Sequence, residues 1–424
     1  MERAGHDGPG GALAAGLGLR QGLYLLAVFI DTVGSGLWMP VGLIFFTRAQ
    51  QIPVAQVGTA LTLGGLVGLL AGPISGSLVD RWGPARFVFV SNVARAVVFA
   101  LYPLVGSAWQ IALLAAVFSA SDRLFWTANT PLLSQFVRGR RLDRILGTQN
   151  VVRIVGLGLG AALSGLFAGS VQGLHWLAYV NALSFVVAAG VLLAAVSMRA
   201  PARADAEADA PAEATGADRP AHPVGWRAVL ADRPFVLLCG VQGLYALCAL
   251  SLVVILPLVA LDPLGGPTWL PGASIVVGNV VLALAQNPAV RLAEKTSRLR
   301  GLLISSATFA VTFVLMSFGT DVAHSWVVPL VLAVSVLGVV GEALFGPMMT
   351  AAANDAAPER LRGRYSALFQ TSWGLATVLA PALFTLLLAV DHRVLWLSAA
   401  GMALLTVPGL LVAGRRLPAA VLHA

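Results

Sequence analysis

Residues 56–104 read QVGTALTLGGLVGLLAGPISGSLV, then DRWGPAR, then FVFVSNVARAVVFALYPL. An apolar run over 56–79 gives way to seven residues holding Asp80, Arg81 and Arg86, and a second apolar run fills 87–104. The hydrocarbon core of a bilayer, roughly 30 Å thick, is crossed by about 20 helical residues. The stretch is therefore a hairpin of two membrane helices joined by a tight polar turn, in which Gly83 permits a positive φ.

The same alternation runs outward in both directions. Apolar spans are expected at 22–46, 56–79, 87–104, 108–135, 148–169 and 174–197. After a break they resume at 234–260, 269–290, 301–318, 326–351, 365–389 and 394–413. The chain of 424 residues is 58% hydrophobic and 11% charged, too few charges to solvate a soluble protein of this size. Its fold class is an all-α membrane protein of twelve transmembrane helices in two six-helix pseudo-symmetric halves. The break, 199–232, carries PARADAEADAPAEATGADRPAHP, rich in Ala, Pro and acids without apolar period, and reads as a flexible cytoplasmic linker. The halves are then 1–198 and 233–424.

The net charge of +8 raises the possibility of a nucleic-acid binder, but the basic residues punctuate apolar runs and form no basic face. Alternate loops hold 22 arginines and lysines on one side and only Arg48 and Arg393 on the other. By the positive-inside rule both termini are cytoplasmic, and the protein is a multi-pass component of the cell's inner (cytoplasmic) membrane. The N-terminal segment lacks the pattern of a removable signal peptide. Cys239 and Cys248 fall in one span and read as packing residues.

The halves repeat. Asp80-Arg81-Trp82-Gly83-Pro84-Ala85-Arg86 is echoed by Glu294-Lys295-Thr296-Ser297-Arg298-Leu299-Arg300 at an offset of 214, and Pro131-Leu-Leu by Pro347-Met-Met. Internal duplication is a common architecture of secondary transporters, with the substrate site between the repeats near the midplane.

Gly76-Ser77-Leu78-Val79-Asp80-Arg81-Trp82-Gly83-Pro84-Ala85-Arg86 resembles the cytoplasmic signature of the major facilitator superfamily, with Pro84-Ala85 in place of the usual basic pair. The resemblance implies a conformational latch at Gly76, Asp80, Arg81, Gly83 and Arg86, in which Asp80 faces the positive end of a neighbouring helix. Gly156, Gly160, Ser164 and Gly165 resemble the helix-five motif of the family's exporters, with Ala161 where those have Pro. The run Ala357-Pro358-Glu359-Arg360-Leu361-Arg362-Gly363-Arg364 is similar to the drug/proton antiporters in the corresponding loop.

Ionisable residues inside a membrane are costly and mark function by default. Six fall within spans: Asp31, Arg95, Asp122, Arg123, Arg153 and Glu342. Mutual neutralisation is one reading of them. The other is that an acid without a partner carries a proton, because protonation relieves the cost of burying it. In the resembled family, helices one, four, seven and ten line the cavity, which makes Asp31, Asp122, Arg123 and Glu342 the proton-coupling candidates. Asp31 comes first because no arginine adjoins it in sequence, and Glu342 second. Trp38, Trp126, Asn129, Tyr245, Asn279 and Gln286 are the candidate substrate-cavity residues.

The six histidines are scattered, no nucleotide-binding loop occurs, and no metal or cofactor is expected. The expected function is therefore a non-enzymatic, monomeric secondary transporter whose partners are protons, the lipid bilayer and a small-molecule substrate. Proton-coupled efflux of a hydrophobic or amphipathic compound is the first reading, and proton-linked import by the same fold the alternative.

Overall fold

The computed structural model describes residues 18–135, 137, 140–197, 226–295, 297–417 and 419–422. The proposed linker thus lies outside the described residues except for its end, where Trp226–Ala231 forms a short helix.

The first long helix, α1 (Leu19–Trp38), bends by 53° into a short continuation over Gly42–Ala49. Pro40 lies at the break, where its ring and missing N–H interrupt the helix. Next come α2 (Val54–Trp82), α3 (Pro84–Leu101), α4 (Ala108–Ser134), α5 (Arg140–Ser164) and α6 (Val171–Ser197). Then follow α7 (Arg233–Val254), α8 (Leu270–Lys295), α9 (Arg298–Ser317), α10 (Val327–Ala356), α11 (Arg362–Val390) and α12 (His392–Arg416). Asp232 caps α7, accepting a hydrogen bond from the Phe235 N–H at 3.2 Å. Pro257 starts a further turn, Leu256–Leu261, after α7 ends.

Among the described residues, ten helices are long and apolar enough to cross a bilayer, and eleven if the bent first helix counts as one span. In α8 the described side chains of Leu270–Gln286 form an apolar stretch. Large side chains such as Leu63, Leu183, Leu284 and Leu405 are exposed, which an apolar surrounding accommodates.

Between α2 and α3, Gly83 adopts φ 84° and Pro84 occupies the first turn of α3. The left-handed backbone stops one helix, and the proline, whose missing N–H is unneeded there, starts the next.

The duplication legible in the sequence recurs in the packing. Within the first half α1 packs on α5 and α6, α2 on α4, and α3 on α4 and α6. Six helices later, α7 packs on α11 and α12, α8 on α10, and α9 on α10 and α12. The halves meet along α2–α11 and α5–α8, itself a symmetric pair of contacts.

Candidate functional site

The interior of the first half holds a buried charge cluster. Asp31 on α1 and Arg95 on α3 are 6% and 3% exposed. One terminal nitrogen of Arg95 is 3.5 Å from Asp31 Oδ2, and the other is 3.6 Å from Asp122 Oδ1 on α4. The guanidinium also donates to Asn92 Oδ1 at 2.8 Å and lies over the rings of Phe125 and Phe185, at 4.2 and 4.7 Å. Ser35 Oγ donates to Asp31 at 3.4 Å. Asp31 is therefore not a partnerless acid, as its sequence neighbours suggest. Its cation arrives from another helix, at a separation in sequence that local reading cannot connect.

Asp122 is less enclosed than Asp31, with a side chain 36% exposed. Arg123 is exposed, and its terminal nitrogen reaches within about 4 Å of the space beside Gly374 on α11, in the opposite half. Arg153 on α5 donates to Asn150 Oδ1 at 3.4 Å and lies 5.8 Å above the ring of Trp126.

Glu342 on α10 is half-buried and makes no ion pair or hydrogen bond among the described residues. It shares one helix face with Gly346 and Thr350, at positions i, i+4 and i+8. Those two residues line a cavity of about 240 Å³ between α7, α10 and α11. The cavity runs from Gln242, Phe345 and Trp373 toward Arg362 at the start of α11.

The six residues singled out for the substrate site are not among those lining this cavity. Tyr245 is fully buried, donating from its hydroxyl to the Leu302 carbonyl at 2.5 Å. Asn129 accepts from Tyr24 Oη at 2.5 Å and donates to Gln149 Oε1 at 3.3 Å. Trp38 sits in an aromatic cluster with Phe45, Phe99 and Tyr102. Trp126 and Gln286 are exposed and Asn279 is half-buried. Gln242, Phe369 and Trp373 went unnoticed because amide and aromatic residues are common in apolar helices; only the packing of three helices sets them around one space.

Of the expected latch, Gly83 makes the turn described above, and Arg81 and Arg86 are exposed. At Gly76 and Asp80 only the helical backbone is described, so the role expected of Asp80 falls outside the described residues. Gly156 and Gly160 of the helix-five motif face α1, while Ser164 and Gly165 face the start of α8.

The end of the bundle away from the arginine-rich loops is tied across the halves. Thr62 Oγ1 donates to the Val378 carbonyl at 2.8 Å and accepts from the Ala382 N–H at 3.0 Å. Beyond it, Arg48 donates to Asp262 through Nε at 2.8 Å and through a second nitrogen. Arg48 and Asp262 are 214 residues apart, the offset of the sequence repeat, so the pair joins equivalent positions of the two halves. Exposed pairs contribute about 0–1 kcal/mol, so Arg48→Ala should raise the population open at this end up to about fivefold. Cysteine accessibility at position 378, which meets Thr62 only through its backbone carbonyl, reads this out. Unchanged labelling in Arg48→Ala would show that the pair ties nothing.

The profile of the Major Facilitator Superfamily matches residues 23–281 and 269–422. The MFS-type transporter YqjV of Bacillus subtilis (strain 168) is 22% identical over 352 residues, covering 80% of each chain. The multidrug resistance protein MdtH of Yersinia pestis (strain Pestoides F) is 25% identical over 245 residues, 56% of this chain and 55% of that one. The MFS-type transporter YfiS of B. subtilis is 24% identical over 179 residues. The chain thus spans about half the length of MdtH, and 42% of YfiS. In fold it is similar to the nucleoside transporter NupG, with a TM-score of 0.72 at 12% identity, covering 93% of this chain and 99% of that one. It is similar also to a bacterial homologue of the iron transporter ferroportin, with a TM-score of 0.69 at 17% identity, covering 94% and 99%. Two repeated helical halves, charges buried between helices and a profile match over nearly the whole chain lead to one conclusion: the protein belongs to the Major Facilitator Superfamily.

Proposed function

We propose that this transporter exports a small hydrophobic or amphipathic compound in exchange for protons, by alternating access between halves 1–198 and 233–424 joined by the linker 199–232. On this reading all twelve long helices cross the inner membrane, with both termini and the arginine-rich loops on the cytoplasmic side, and the protein works as a monomer. The observation that carries the reading is the asymmetry of the bundle. Ties across the halves close the end at Arg48 and Asp262, while a cavity with an unpaired acid on its helix face extends toward the other. The likeness to MdtH supports the direction of transport.

The test is accumulation of hydrophobic dyes in cells with and without the protein, before and after collapse of the proton gradient. Lower accumulation that disappears with the gradient is the expected result. Higher accumulation in expressing cells would instead favour proton-linked import.

Asp80→Asn tests the latch within this scheme. The expected outcome is several-fold slower transport at unchanged expression, since the latch sets the balance of conformational states and not the packing of the core. Wild-type rates in a well-expressed variant would remove Asp80 from the latch.

A further inference from the structure

We infer that the cavity between α7, α10 and α11 binds an amphipathic carboxylate, with Arg362 taking the anionic end and the aromatic residues its apolar body. The inference names a class of cargo and rests on the transporter reading for its purpose, while the site itself is argued from geometry and charge.

The cavity has two chemically different ends. α10 ends at Ala356 and α11 starts at Arg362, so positions equally far from the connecting turn lie at similar depth. Phe345 and Trp373 are each eleven residues from those helix ends, whereas Asn354, Ser366 and Arg362 are within four. At about 1.5 Å per residue, the aromatic end is about 16 Å deeper than the backbone of Arg362. Phe345 and Trp373 line the deep end, and the ring of Trp373 is only half-buried. The shallow end is polar and open, because Asn354, Ser366 and Arg362 all line it and all are exposed.

Arg362 is the unanswered charge at this end. It makes no ion pair among the described residues. The acids around it are engaged elsewhere or stand apart. Asp355 pairs with Arg298 at 2.6 Å, and Asp232 caps α7 and accepts from Tyr365 Oη at 2.8 Å. Glu359 is exposed and forms no ion pair with Arg362. Glu342 lies about 18 Å from Asn354 along α10, beyond the deep end, and so stands clear of a carboxylate held at Arg362.

A guanidinium meets a carboxylate through two parallel N–H···O bonds, a fit that a lysine ammonium lacks. A carboxylate so held directs its apolar body up the cavity, where aromatic rings favour a planar group. The volume of about 240 Å³ accommodates two fused rings on a short chain. A neutral compound of the same shape keeps the stacking and loses the ion pair, which at an exposed arginine is worth up to about fivefold in affinity.

The experiment measures binding of 4-(2-naphthyl)butanoate and its neutral amide, by naphthalene fluorescence, to the purified full-length protein in phosphatidylcholine nanodiscs. Empty nanodiscs report partition into lipid. The wild type should bind the carboxylate about fivefold more tightly than the amide. Arg362→Gln should keep its melting temperature and bind the two alike. Asn354→Asp, which sets an acid at the same open end without touching a buried group, should also abolish the preference. Arg364→Gln removes an arginine that is not among the lining residues and should keep it. Trp373→Ala should weaken both probes by a similar factor.

Equal binding of the two probes by the wild type overturns the site, as does a preference that survives Arg362→Gln or Asn354→Asp. An equal loss in Arg364→Gln would assign the preference to the general positive potential of this end, and that too overturns the site. None of these results bears on transport of other compounds, so the transporter reading stands or falls by the accumulation experiment. Selective binding without transport would sink that reading and leave the site intact.

Discussion

Gly160→Ala should destabilise the protein markedly, while Gly158→Ala, two residues away on the same helix, should be neutral or stabilising. At Gly160 a Cβ would stand 2.6 Å from the backbone nitrogen of Leu37 and 2.8 Å from the carbonyl carbon of Gly36. Those are atoms of α1, which cannot rotate aside as a side chain would. Across the same contact a Cβ on Gly36 would stand 2.8 Å from Leu157 Cα. The two helices touch backbone to backbone, the arrangement that small residues four apart allow in a membrane. Forcing extra volume into such a contact costs about 1–3 kcal/mol and pushes the helices apart. A Cβ on Gly158 meets nothing within 4 Å, so alanine there contributes only its higher helix propensity, worth about 1 kcal/mol. The opposite signs are the point of the comparison. Thermal unfolding of the two variants in detergent, followed by size-exclusion chromatography, reads them directly. If both shift the melting temperature alike, the α1–α5 contact is not the tight joint described.

Much of the architecture is legible in the sequence because the bilayer simplifies the code. Every backbone group in the membrane must be satisfied within its own helix, so apolar runs and their arginine-bearing ends mark the elements almost directly. Gly83 and Pro84 give the turn between α2 and α3 for similarly local reasons. The site is less legible. The pairing of Asp31 with Arg95 joins α1 to α3, and no spacing rule connects residues 64 apart. Gln242, Phe345 and Trp373 acquire meaning only when three helices close around them. Tyr245 and Asn129 show that polar side chains in a span can serve as internal anchors, as the bonds of these two to Leu302 and Tyr24 do.

Glu342→Gln should abolish the dependence of transport on a pH gradient, with gradient-driven flux falling at least tenfold, while Asp31→Asn should keep it. The sequence places Asp31 first because no arginine adjoins it, but the fold supplies Arg95 at 3.5 Å and adds a hydrogen bond from Ser35. Asp31 and Asp122 share one guanidinium, which answers the charge of one carboxylate, and the closer contact and the Ser35 hydrogen bond favour Asp31. Removing Arg95 would strand two acids. Breaking a buried pair in that way costs about 3–5 kcal/mol, so Arg95→Gln should fold poorly and Asp31→Asn in the same chain should restore part of the yield. Such a result identifies the cluster as a joint of the first half. Glu342 differs in that no cation meets it among the described residues, and its helix face continues into the cavity through Gly346 and Thr350. Exposure to water in one state and enclosure in the other changes the cost of its charge, which is what coupling to protons requires. Glutamine keeps the shape and polarity of the protonated acid and cannot release a proton. Flux in proteoliposomes, with and without an imposed pH gradient, separates the two acids, and substrate exchange at equal pH should survive in Glu342→Gln. Full gradient dependence in Glu342→Gln together with its loss in Asp31→Asn would return the coupling role to Asp31 and make the Arg95 pair part of the proton path.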